Sequence, residues 1–171
     1  MSEDFAIQAR GLRDRYRPLE LKGADIAVEW WEKHLALMVK HRLTREIVKR
    51  AAKDVIFRDG APELLNNRSH DIQIISSGLG DVIVEALKGV TDRTDILIVA
   101  NFVHWQNGYA QGYRREILTA KNKGGVDLSY ADVCLGDGLD DLFPAKISYC
   151  FSDTDVPGFT RTFPTSATIV L

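Results

Sequence analysis

At 171 residues the chain is long enough for one domain with a sizeable core, or for a core plus a small inserted cap, and too short for two full domains. Its 45% hydrophobic and 27% charged content is that of an ordinary soluble globular protein, and a formal net charge of -2 gives no reason to expect a nucleic-acid polymer as partner. No charged segment leads into an apolar stretch at the start, and no apolar run approaches the roughly 20 residues that a bilayer demands, so secretion and membrane spanning are not expected and the cytoplasm is the default compartment.

In chain order, the first strong periodicity is "ADIAVEWWEKHLALMVKH", Ala24 to His41, where Ile26, Trp30, Leu37 and Met38 recur at helical spacing. Thr44 then caps a second predicted helix, with Glu46 in its first turn and Ile47, Val48, Ala51, Val55 and Ile56 as its apolar stripe. Gly60 breaks that pattern, and Pro62 sits in the first turn of another short helix. "DIQIISSG" predicts a short strand ending in small residues, and "LGDVIVEALKG" a helix stopped by Gly89. "TDILIVANF" and "ADVCLGDG" read as two further buried strands. Between them, Asn107-Gly108 inside "FVHWQNGYAQGY" is a hairpin signal. Helices alternating with short apolar strands predict an α/β fold with a Rossmann-like parallel sheet, whose ligand site lies at the carboxyl ends of the strands. Beyond Ser152 a terminal "TIVL" strand is the one element expected. Cys134 and Cys150 stand in apolar runs without metal-ligand spacing, which predicts buried free thiols.

Three features fall where such a site would be. Ser76 and Ser77 beside Gly78 offer a hydroxyl and backbone N–H groups to an anion at a helix start, or simply make a turn. Lys121 and Lys123, next to two glycines, offer a cation to a phosphate or a carboxylate, or are solvated turn residues. In "GDGLDDL", Asp137 and Asp141 one turn later present hard carboxylate oxygens suited to Mg²⁺, or else a helix cap and exposed first-turn acids.

The ordered set of serine, lysine and "GDGLDD" resembles the second, third and fourth motifs of the haloacid dehalogenase superfamily of phosphohydrolases. "AVEWWEKHLALMV", "ISSGLGDVIVEAL", "IVANFVHWQNGYAQGY" and "NKGG" followed by "LGDGLDDL" narrow the resemblance to the cytosolic pyrimidine 5'-nucleotidase family, from about Tyr16 to Leu142. The resemblance implies a magnesium-dependent nucleoside monophosphate phosphohydrolase. In it Ser76, with Ser77 and Gly78, binds phosphate, Lys123 is the catalytic and phosphate-binding lysine, and Asp137 and Asp141 hold the metal. It also implies that residues 1–59 form an N-terminal segment and a helical cap over an α/β core of residues 60–171. Glu29 and Trp30 of that cap would face the nucleotide base, one accepting from an amino group and the other stacking. Packing within the helix pair is the alternative for the tryptophans.

The resemblance has one large departure. The family's nucleophile is an aspartate in a D-x-D-x-T motif that ends the central strand, and this chain has no such motif. Asp4 and Asp14 follow no apolar strand, and "VIFRDGAP" puts Arg58 at the nucleophile's place. The expectation is therefore an incomplete copy of a nucleotidase, lacking the central strand and turning over poorly. The alternative is an inactive homologue that still binds a nucleotide or phosphate.

Overall fold

The computed structural model describes residues 2–21, 26–119, 122 and 123, and the backbone of two strands at 133–136 and 147–150. Helix α1, Glu3–Leu21, begins with Glu3 and Asp4 against its positive end, and the Phe5 N–H donates to Ser2 Oγ at 3.3 Å. Its apolar residues Phe5, Ala9, Leu12 and Tyr16 recur at helical spacing, and among its described side chains Tyr16 is buried and the other three half-buried. Helix α2, Ala27–Lys40, runs antiparallel to it. At one end of the pair the Tyr16 hydroxyl donates to Glu29 at 2.6 Å, and at the other Lys40 donates to Gln8 at 3.1 Å.

Helix α3, Arg45–Lys53, is capped as its sequence predicts, with Thr44 Oγ1 accepting from the Ile47 N–H at 3.4 Å. It ends earlier than the apolar stripe suggests. Val55 and Ile56 lie beyond its last turn and are 41% and 93% exposed, and the buried face is Val48 and Ala52 rather than Ala51. Consecutive β-branched residues followed by Phe57 favour extended backbone, which stops the helix at Lys53. Helix α4, Ala61–Asn66, starts at Gly60 with Pro62 in its first turn.

Strand β1, Gln73–Leu79, pairs in parallel with β2, Leu97–Asn101, and helix α5, Gly80–Leu87, connects them. α5 closes at Lys88, one residue before the glycine predicted to stop it. Strands β3, Val103–Gln106, and β4, Tyr109–Tyr113, form the predicted hairpin. Asn107 and Gly108 have φ of 50° and 81°, the paired positive values of a turn that matches strand twist. Strands β5, Val133–Gly136, and β6, Ile147–Cys150, make a second parallel pair, and β6 is an element that the sequence reading did not anticipate. Among the described residues, no ladder joins β5 and β6 to β1 and β2. The predicted "TIVL" strand lies outside the described residues.

The core next to the hairpin is Leu43, Val48, Val103 and Ala110, with Met38, Leu79 and Val82 packed on it. It draws on residues from both sides of position 59. The Ala110 N–H donates to the Leu43 carbonyl at 3.0 Å, so the connection between α2 and α3 extends the hairpin and fixes the helical pair to it. Arg93, its side chain 1% exposed, forks onto Asp95 at 2.9 and 2.7 Å and also donates to the Asn67 and His70 carbonyls at 2.6 and 2.9 Å. That one guanidinium ties the segment before β2 to the segment before β1. No described helix is long and apolar enough to cross a membrane.

Candidate active site

The serine run lies inside β1 rather than beyond its end. Ser76 pairs with Ala100, but the next pair is Leu79 with Asn101, so Ser77 and Gly78 are extra residues that bulge from the ladder just before α5 begins. A run of small polar residues therefore reads locally as a turn, while the strand resumes for one residue. The Gly78 N–H donates to Ser76 Oγ at 3.0 Å. A Cβ at Gly78 would stand 3.1 Å from that oxygen, which is why glycine suits the position. With Oγ already accepting, the Ser76 hydroxyl hydrogen is available for a donor role.

Asp81, in the first turn of α5, fixes the helix start. Its carboxylate accepts from the Val103 N–H at 2.8 Å and from Trp105 Nε1 at 2.9 Å, joining α5 to β3. An acid there is legible as a partner for the helix N-terminus, but its reach to the hairpin has no local signal.

Asn101, 3% exposed at the end of β2, is saturated. Its Nδ2 donates to the Ser77 and Leu118 carbonyls, each at 2.7 Å, and its Oδ1 accepts from the Leu118 N–H at 2.7 Å. Five residues on from Leu118 stands Lys123, 8% exposed. Between them, Thr119 and Asn122 cap one another: the Thr119 N–H donates to Asn122 Oδ1 at 2.6 Å, and the Asn122 N–H to Thr119 Oγ1 at 3.3 Å. The Lys123 N–H donates to the Thr119 carbonyl at 3.0 Å. The serine bulge and the lysine turn thus share one carboxamide. Asp137 and Asp141, like Lys121, lie outside the described residues, and no three His, Cys, Asp or Glu side chains cluster as a metal site among the described ones.

A cavity of about 1030 Å³ runs along β1 and reaches Ser76. Its walls are mostly apolar, from Ile74, Val82 and Leu87, and Arg58 and Asp59 are its charged lining residues among those described.

Glu29 and Trp30 sit on α2. The Tyr16 hydroxyl and then Lys33, at 3.1 Å, hold the Glu29 carboxyl below its usual pKa. Trp30 packs against Trp31 and, edge-on, against His34, with ring centroids 5.5 Å away in both cases. Burial depresses the His34 pKa. Trp30 Nε1 and His34 Nδ1 are buried and have no hydrogen-bond partner among the described residues. These ring contacts all lie along α2 itself.

Comparison with known proteins agrees with this architecture. A solved cytosolic 5'-nucleotidase IIIB bound to cytidine superposes with a TM-score of 0.71 at 23% identity, over 89% of this chain and 61% of the other. A phosphoserine phosphatase from T. onnurineus superposes with a TM-score of 0.63 at 18% identity, over 99% of this chain and 80% of that one. The fold is thus the haloacid dehalogenase type, and the chain spans 61% of the length of the solved nucleotidase. No curated protein sequence matches the chain. The profile of the family described as Pyrimidine 5'-nucleotidase (UMPH-1) matches residues 1–134, which is most of the sequence, and the chain belongs to that family.

Proposed function

We propose that this chain binds a nucleoside monophosphate in the manner of a 5'-nucleotidase and hydrolyses it slowly or not at all. The observation that carries the reading is the Ser76–Gly78 bulge at the start of α5, in a chain of the pyrimidine 5'-nucleotidase family. The Ser76 hydroxyl donates to a phosphate oxygen, the Ser77 and Gly78 backbone lies against the anion, and the Lys123 ammonium neutralises it. Glu29 and Trp30 take the base side, where displacement of Tyr16 and Lys33 from Glu29 would accompany binding. Asp137 and Asp141 supply hard oxygen donors that fit Mg²⁺, which would add positive charge opposite the phosphate.

Holding phosphate with Ser76 and Lys123 stabilises ground state and transition state alike, and that does not accelerate the chemical step. Acceleration by the family's route needs an attacking carboxylate held in a D-x-D-x-T motif, and the chain has no D-x-D-x-T motif. The test is phosphate release from CMP and UMP at saturating Mg²⁺, with an EDTA control and an Asp137→Asn variant. The expected rate is at the background of the variant. Multiple turnover abolished by both EDTA and Asp137→Asn would reveal an active nucleophile and overturn the reading of slow chemistry.

A further inference from the structure

We infer that Asn101 is a positioning residue that sets Lys123 against the Ser76–Gly78 bulge. The inference rests on the nucleotide reading above for its functional meaning, but its physical basis is separate. A buried carboxamide with both donors and its acceptor satisfied is held in one orientation, since a flipped amide would turn its oxygen toward two carbonyls. Its partners come from two different segments: Ser77 is 24 residues before it and Leu118 is 17 residues after it.

By pairing with both the N–H and the C=O of Leu118, Asn101 does for that segment what a neighbouring strand would do. The same side chain pins the carbonyl of Ser77, within the bulge that shapes Ser76. Next to Leu118, Thr119 is 2% exposed and locked to Asn122, and its carbonyl accepts from the Lys123 N–H at 3.0 Å. Moving Asn101 would therefore move the lysine and the serine independently of one another. A site for a compact dianion tolerates little of that, since both groups must meet the same phosphate.

The experiment uses the full chain with Asn101→Ala, the milder Asn101→Ser, and Val48→Ala as a control that destabilises the core while leaving the Asn101 hydrogen bonds in place. Lys123 acetylation by acetic anhydride, followed by mass spectrometry, reads the clamp without any ligand. Calorimetric titration with CMP and Mg²⁺ reads the site. The expected result is faster Lys123 labelling in both Asn101 variants than in Val48→Ala. CMP affinity should fall roughly tenfold in Asn101→Ala, and by less than about twofold when the same change is made in a Lys123→Ala background. Unchanged Lys123 labelling in both Asn101 variants overturns the positioning role, and so does an undiminished effect of Asn101→Ala in the absence of Lys123. If labelling depends on Asn101 but CMP binds Ser76→Ala as well as it binds wild type, the nucleotide reading falls and the clamp alone stands.

Discussion

Replacing Asp81 with alanine should cost about 3–5 kcal/mol of folding stability, although the residue touches no proposed ligand. The carboxylate accepts two hydrogen bonds, from the Val103 N–H at 2.8 Å and Trp105 Nε1 at 2.9 Å. Hydrogen bonds to a charged acceptor contribute about 1.5–3 kcal/mol each. Val103 is fully buried, so water cannot replace the lost acceptor at its N–H. Trp105 is only half-buried, and solvent recovers part of the loss at its indole. Losing an acid from the first turn of α5 adds about 0.3–1 kcal/mol. Asp81→Asn keeps one carbonyl acceptor and should cost about half as much as alanine. Urea unfolding followed by far-ultraviolet circular dichroism measures both, and the near-ultraviolet signal of Trp105 should weaken in the alanine variant before unfolding. A loss under about 0.5 kcal/mol for Asp81→Ala would refute the link between α5 and the hairpin.

Arg93→Ala should destabilise by about 2–4 kcal/mol in the same assay, because it strips the Asn67 and His70 carbonyls of their donor, and Arg93→Lys should recover less than half. The forked bond from Arg93 pulls the Asp95 pKa down to about 2, below its ordinary value of 3.8. A depressed carboxylate stabilises the fold above its unfolded pKa, so that contribution should be complete at neutral pH and fade as pH falls from about 4 toward 2. Asp95→Asn should flatten the stability–pH curve across that window. Thr44→Ala should cost about 1 kcal/mol through the lost cap of α3, while Thr44→Ser should be close to neutral.

Much of the scaffold is legible because its signals are local. The Thr44 cap, Pro62 after Gly60, the Asn107-Gly108 turn and the apolar runs at Ile74 and Ile98 each state their structure within a few residues. α1 is the helix that the sequence reading missed, although Phe5, Ala9, Leu12 and Tyr16 recur at helical spacing and Ser2 followed by Glu3 and Asp4 is a start signal that could have found it. Val55 and Ile56 mislead in the opposite direction, since apolar residues at helical spacing do not guarantee a continuing helix. The serine run was legible as a departure from regular strand, but its form as a bulge depends on the register with β2. Asn101 and Asp81 were not legible as supports, because their partners stand 17 to 24 residues away.

The most direct measurement of the central claim is calorimetric titration of CMP with Mg²⁺ into the wild-type chain, Ser76→Ala and Lys123→Ala. The account predicts saturable binding at a single site, weakened about tenfold or more by either substitution, as expected for loss of a charge-assisted contact to phosphate. Binding of equal strength in all three chains, or no saturable binding to the wild type, would contradict it.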